Sequence, residues 1–141
     1  MVDVVYTAVA TARGDGRNGE VTSSDGVIDE QLAVPKEMGG PGGEHTNPEQ
    51  LFAAGYSACF HGALQAVARQ AKVKLSDTTV TAKVSIGKDG DGFGLAVKIE
   101  AHLPGLEEGQ ANELVAQAHQ FCPYSRATRG NIEVEVTAKT S

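Results

Sequence analysis

The spacing of hydrophobic positions changes period several times along the chain, and each change marks an element. From Val2 to Ala12, Val5, Thr7 and Val9 share one face of an extended chain, and Val4, Tyr6 and Ala8 share the other. That pattern predicts a strand covered on both faces or lying at an interface. Gly14-Asp15-Gly16-Arg17-Asn18-Gly19 follows as a dense turn signal. A short strand is expected over Glu20 to Ser24. Asp25-Gly26 then gives a hairpin signature, because left-handed turn positions favour Asp and Gly, and Val27 to Val34 would return as the next strand.

Gly39-Gly40-Pro41-Gly42-Gly43 breaks regular structure, and Asn47-Pro48-Glu49-Gln50 opens a helix. Asn47 suits the cap, Pro48 suits the first helical position, and Gln50 can reach back to the cap. The helix should run to about Gln70, and it is apolar almost all round from Leu51 to Ala68. Such a helix belongs at the centre of a structure. Strands are expected over Thr78 to Gly87 and Phe93 to Leu103, joined at Asp89-Gly90-Asp91-Gly92. Glu107 to Phe121 reads as a second helix with Leu114, Val115 and Ala118 facing inward. Pro123 should stop it, because the residue before proline is pushed out of helical geometry. Asn131 to Ala138 sets Ile132, Val134 and Val136 against Glu133 and Glu135, a half-exposed strand. This order gives an α+β fold in one domain over residues 1–141, without linker or repeat.

Composition narrows the function. A chain of 141 residues can bury roughly 68% of its unfolded surface, so it needs neither disulfide nor structural metal to hold a core. The net charge is -6 and Lys and Arg nowhere cluster, which argues against nucleic acid or an anionic membrane as partner. Met1 to Ala10 carries Asp3 and no Lys or Arg, unlike an export signal. Leu51 to Ala68 is long enough to span lipid but contains Gly55, Ser57, His61, Gly62 and Gln65, which suits a protein core better. The expected compartment is the cytoplasm, where cysteine pairs are more often redox or metal sites than structural disulfides.

The chain has two cysteines, Cys59 within the apolar helix and Cys122 at the end of the second helix. Each can be a small core hydrophobe, and the residues alone leave that reading open. Zinc is disfavoured. Cys59 and His61 are two apart on a helix and point to different faces, while His119 and Cys122 are three apart, so at most three of four ligands converge. A reactive thiol is harder to make here. An ordinary cysteine is only a few per cent thiolate at neutral pH, and an apolar helix raises its pKa further. Catalysis therefore requires a cation nearby. Arg17 lies on the glycine-rich turn, keeps its charge when buried, and needs a carboxylate partner, for which Glu49 is available. Otherwise Arg17 is a solvated turn residue and Glu49 an acid favoured by the helix dipole.

Long segments decide between these readings. Gly39-Gly40-Pro41-Gly42-Gly43, then Thr46 to Phe60 (TNPEQLFAAGYSACF), and Cys122-Pro123-Tyr124-Ser125 followed by Ala127-Thr128-Arg129-Gly130-Asn131 resemble the organic hydroperoxide resistance proteins, a branch of the OsmC-like family. The resemblance covers nearly the whole chain, including Ser24-Asp25-Gly26 and Gly92-Phe93-Gly94-Leu95. It implies an intertwined homodimer, with two β-sheets around long central helices and active sites at the dimer interface. It implies reduction of organic and fatty-acid hydroperoxides in the response to oxidative stress, without cofactor or metal. The implied reductant is a lipoyl dithiol, dihydrolipoamide or a lipoylated protein. By the same resemblance Cys59 is the peroxidatic cysteine, Cys122 the resolving one, Arg17 the catalytic-loop arginine and Glu49 its partner. His61 and Arg126 depart from the family pattern at non-catalytic positions, and Arg126 can add positive field near Cys122.

The implied cycle is a thiolate at Cys59, a sulfenic acid, a Cys59–Cys122 disulfide, and reopening by a dithiol. Phe60, Phe121 and Phe93 are expected to line the site. The Gly14 to Gly19 loop is expected to hold Arg17 inward over the thiolate and to loosen once the disulfide forms. The rival readings are an OsmC-like peroxidase with another reductant, and a sensor that uses the same pair to report peroxide.

Overall fold

The computed structural model describes all residues from Met1 to Ser141, in two compact units, Met1–Leu51 and Phe52–Ser141. In the first unit, β1 (Ala10–Arg13), β2 (Glu20–Ser23) and β3 (Asp29–Gln31) form an antiparallel sheet in that order. The register pairs Arg13 with Glu20 and Glu20 with Gln31. The β2–β3 loop turns at Asp25, whose carboxylate accepts from the Ser23 hydroxyl at 2.6 Å and the Val27 amide at 3.0 Å. These bonds hold the Asp25 carboxyl below its ordinary pKa, the Ser23 bond most strongly. Gly26 takes the left-handed conformation with φ 76°.

The expected first strand is much shorter than its pattern. Only Ala10–Arg13 pairs, because β2 offers a partner of just four residues. Val2, Val4, Val5 and Tyr6 stay largely exposed, and no strand includes them. The returning strand also shrinks, from Val27–Val34 to Asp29–Gln31, with a single parallel bridge from Leu32 to Thr46 beyond it.

The helix α1 (Pro48–Gln70) begins in the first unit and runs on into the second. Asn47 caps it as expected, its Oδ1 accepting from the Gln50 amide at 2.8 Å. The Gln50 side chain does not reach back to that cap. Its Oε1 accepts from the Thr46 hydroxyl at 2.8 Å instead.

In the second unit β4 (Thr79–Asp89) and β5 (Gly92–His102) form a long hairpin, and β6 (Glu133–Lys139) lies parallel to β5 on its other side. Alternation places Val80, Ala82 and Val84 inward on β4, Val97, Ile99 and Ala101 on β5, and Val134, Val136 and Ala138 on β6. The register aligns them in rows, one of which is Ala82–Ile99–Val136. Tyr56, Phe60, Leu64 and Val67 of α1 join the same core, spaced as one helical stripe. The helix α2 (Glu108–Phe121) adds Ala111, Leu114, Val115 and Ala118. Ala54, Ala58, Gly62 and Gln65 lie along the exposed face of α1, so a helix that is apolar all round buries one stripe within this chain.

Pro123 ends α2 and also opens α3 (Pro123–Thr128), a helix not expected from the sequence. Proline at the first helical position costs no hydrogen bond and presets φ, so the same residue stops one helix and starts another. No helix is long and apolar enough to cross a membrane.

Ile99 sits at the middle of the sheet with no exposed surface. Ile99→Ala should cost about 2–5 kcal/mol through lost burial and the cavity left behind. Urea unfolding measures this, and a loss below about 0.5 kcal/mol would show that the central row is not the core.

Candidate functional site

The Gly14–Gly19 loop folds into a single 3-10 turn over Gly16–Asn18. Gly14 and Gly16 have φ of 89° and 55°, where a Cβ is penalised. Gly19 is required for another reason. A Cβ there would strike the Arg13 carbonyl oxygen and lie 2.8 Å from the Asp15 amide nitrogen. Asn18 ties the loop down by accepting from the Val34 amide at 2.9 Å. Arg17 is thereby presented to the first turn of α1. Its Nη1 donates to both oxygens of Glu49, at 2.7 and 3.1 Å. The carboxylate engages Nη1 alone, so the other nitrogens of the guanidinium are not committed to this pair. The Glu49 side chain is 13% exposed and that of Arg17 42%.

Cys59 and Cys122 are both reduced thiols, and their sulfurs lie 3.6 Å apart, with the Cys122 S–H donating. Two positions 63 residues apart in sequence thus meet in space. Cys59 is partly exposed and Cys122 fully buried. Cys122 occupies the corner between α2 and α3. Its amide donates to Ala118 O at 2.8 Å, its carbonyl accepts from the Arg126 amide at 3.0 Å, and its extended ψ of 123° makes the bend.

Burial pushes the Cys59 thiol above the ordinary cysteine pKa, and the hydrogen bond and charge of Cys122 push the same way. A backbone hydrogen bond from Tyr124 opposes them. That amide is in the first turn of α3, where N–H groups have no partner inside the helix. The position was visible in the Cys-Pro-Tyr-Ser segment, but its use as a donor depends on α3, which the sequence reading missed.

The aromatic surroundings differ from expectation. Phe60 is fully buried in the core and cannot line an open site, while Phe93 and Phe121 are exposed at 69% and 53%. Phe52, Tyr56 and Tyr124 cluster instead, with ring centroids 5.8 to 6.1 Å apart. His119 directs Nδ1 to the Ser125 hydroxyl at 2.8 Å, and His, Cys, Asp and Glu nowhere gather in threes fit to hold a metal. His61 contacts Gln65 at 3.4 Å, and the Arg126 side chain is exposed.

The fold has counterparts among known proteins. Residues 40–137 match the family model for OsmC-like protein. The organic hydroperoxide resistance protein of Xanthomonas axonopodis pv. citri is 53% identical over 135 residues, covering 95% of this chain and 94% of the relative. Organic hydroperoxide resistance protein OhrB of Bacillus subtilis is 47% identical, covering 96% of this chain and 98% of the relative. A crystal structure of an organic hydroperoxide resistance protein from Elizabethkingia anophelis superposes with a TM-score of 0.93 at 51% identity, covering 99% of this chain and all of that one. The chain belongs to the OsmC-like family, in its organic hydroperoxide resistance branch.

The Arg17–Glu49 pair is too open to contribute much stability, since exposed ion pairs are worth about 0.2–1 kcal/mol. A double-mutant cycle of Arg17→Ala and Glu49→Ala on urea unfolding should return a coupling in that range. A coupling above about 2 kcal/mol would make the pair a strut of the fold.

Proposed function

We propose that the chain is a cysteine-based thiol peroxidase, one domain over residues 1–141, that reduces organic hydroperoxides, fatty-acid hydroperoxides included, to alcohols. The observation that carries this reading is the pair of reduced sulfurs 3.6 Å apart, one partly exposed and one buried. The exposed member can meet a substrate, and the buried one can meet only its partner. The names of the relatives support organic hydroperoxides as the substrate class.

The Cys59 thiolate attacks the terminal oxygen of the hydroperoxide. The O–O bond breaks, the alkoxide takes a proton and leaves as the alcohol, and Cys59 becomes a sulfenic acid. Cys122 then attacks that sulfur. Its proton joins the departing hydroxide as water, and a disulfide forms. A lipoyl dithiol, free or carried on a protein, reopens the disulfide by exchange and is itself oxidised to a disulfide.

Burial works against the first step, because it keeps Cys59 protonated. Arg17 supplies the opposing charge when its guanidinium faces the thiol, and Glu49 orients it through Nη1 while leaving other donors for sulfur and the leaving oxygen. Phe52 and Tyr124 offer apolar surface suited to an alkyl or acyl chain. The working unit is a homodimer. The exposed Val2, Val4, Val5 and Tyr6 and the small-residue face of α1 at Ala54, Ala58 and Gly62 support this, being surfaces a second copy can cover.

Intact mass after treatment with an organic hydroperoxide tests the chemistry. The wild type should lose two hydrogens, and Cys122→Ser should gain one oxygen at Cys59. An unchanged wild-type mass would sink the proposal. The charge argument has a separate test. In Arg17→Ala, alkylation of Cys59 should titrate at least about one pH unit higher than in the wild type, a tenfold loss of thiolate below the midpoint. Raising the pH should recover the lost reactivity. Coincident titration curves would remove Arg17 from thiol activation.

A further inference from the structure

One polar cluster in the core has no part in the chemistry above. Tyr56 and Ser125 have no exposed surface, yet each carries a hydroxyl. Tyr56 Oη lies 2.8 Å from Ser125 Oγ and 3.3 Å from Thr128 Oγ1. Ser125 Oγ lies 2.8 Å from His119 Nδ1. Each hydroxyl has one proton to give. Thr128 directs its own to the carbonyls of Tyr124 and Ser125. Two arrangements satisfy the rest: Tyr56 donates to Ser125 and Ser125 to His119, or His119 donates to Ser125, Ser125 to Tyr56 and Tyr56 to Thr128. The first requires a neutral imidazole. Burial first, and the charge of Arg129 second, lower the His119 pKa and favour that form.

The placement of this chain relates it to the cysteines. Tyr56 is three residues before Cys59 on α1. Ser125 is three residues after Cys122, and His119 three before it, on the two helices that meet at Cys122. Residues three apart on a helix share a face. The Tyr56–Ser125 bond therefore joins α1 to the corner one turn away from the place where Cys59 and Cys122 join them. A Cβ at Gly55 would come 3.3 Å from the Tyr124 ring, so α1 and the corner are already in close contact there. Phe52 stacks on the same ring at 6.1 Å.

We infer that Tyr56, Ser125 and His119 are positioning residues that hold Cys122 within reach of Cys59, and so set how fast the disulfide closes after the first oxidation. This rests on the peroxidase reading proposed above. The need is geometric. A disulfide brings sulfurs to about 2.05 Å, so the pair must close by about 1.5 Å from where it stands. The backbone of Cys122 is pinned by its own two hydrogen bonds, and the side chains must supply the movement. A corner that drifted from α1 would leave the sulfenic acid waiting, exposed to a second equivalent of peroxide and irreversible oxidation. A hydrogen bond resists such drift better than an apolar contact does, because its strength falls steeply with misalignment. It also fixes a direction that the ring stacking beside it does not.

The test separates the first oxidation from the second step. Tyr56→Phe keeps the ring and removes one oxygen, and Ser125→Ala removes the middle of the chain. Rapid-quench mass spectrometry with an organic hydroperoxide follows sulfenic acid formation and disulfide closure in one experiment. The first oxidation of Cys59 should stay within about twofold of wild type. Closure should slow by about tenfold, inside the hundredfold that an ångström of misplacement costs, and more protein should end as sulfinic acid. The double variant should be no slower than Ser125→Ala alone, since both lose the same bond. Closure at the wild-type rate in Tyr56→Phe, with only a lowered Tm, would overturn the inference and leave the chain as core satisfaction. If Ser125→Ala does not fold, Tyr56→Phe decides the matter alone. Failure of the wild type itself to form a disulfide would overturn the peroxidase reading, and the inference would fall with it.

Discussion

On the proposed peroxidase reading, Cys59 lies under two opposing requirements. It stands on a helix whose neighbouring turns enter an apolar core, and burial there disfavours a charged sulfur. A nucleophilic thiol must nevertheless be charged. Much of the surrounding structure becomes intelligible as a response to this conflict. The first turn of α3 aims an unpartnered amide at the sulfur, which it can do because Pro123 starts a helix there. One amide does not outweigh burial, since the thiol remains above its ordinary pKa with that bond in place. In the proposed chemistry the balance falls to a full charge, the role given there to Arg17. Arg17 is fixed by a loop of glycines and by Glu49, at an exposure where the pair contributes little to stability. A pair of that kind is better explained by orientation than by stability.

The corner at Cys122 makes a second physical point. On the proposed peroxidase reading, Cys122 must be close enough to react and hidden enough not to be oxidised first. Full burial satisfies the second condition, and the 3.6 Å approach to Cys59 satisfies the first. The position of Cys122 itself follows from one local feature, a cysteine placed between two short-range helix signals. Its amide completes α2 through Ala118, its carbonyl begins α3 through Arg126, and Pro123 forbids continuation of the first helix.

The sequence made the elements legible where the pattern was local. The hairpin of β4 and β5 and the limits of α1 and α2 follow from turn residues, caps and periodicity, and they stand within a residue or two of expectation. The Val2–Ala12 strand does not, because an apolar pattern shows that a segment wants a partner and not that one is within reach. The parallel pairing of β6 with β5 was equally invisible, since register across the chain leaves no local trace. In the site, the approach of Cys59 to Cys122 and the pairing of Arg17 with Glu49 were expected through family resemblance, because no spacing rule links positions 63 or 32 residues apart. The misplacement of Phe60 has the same origin. A residue next to the cysteine in sequence points about 100° away on a helix, and in this chain that direction is the core.

That rotation also explains why the polar chain was overlooked. Tyr56 falls on the buried stripe with Phe60, Leu64 and Val67, and by pattern alone it is one more apolar side chain. Its hydroxyl changes the account. A buried hydroxyl without a partner costs about 1–3 kcal/mol, so phenylalanine would be the cheaper choice for a stripe that needed only packing. Tyrosine is the costlier choice unless a second polar group is placed to meet it, and Ser125 is itself buried and useless for packing a core. The two therefore make sense only as a pair, on the two elements that carry the two sulfurs. Three-residue spacing on both elements then places the hydroxyl bond and the thiol contact on the same join, so the chain that fixes one also limits the movement of the other.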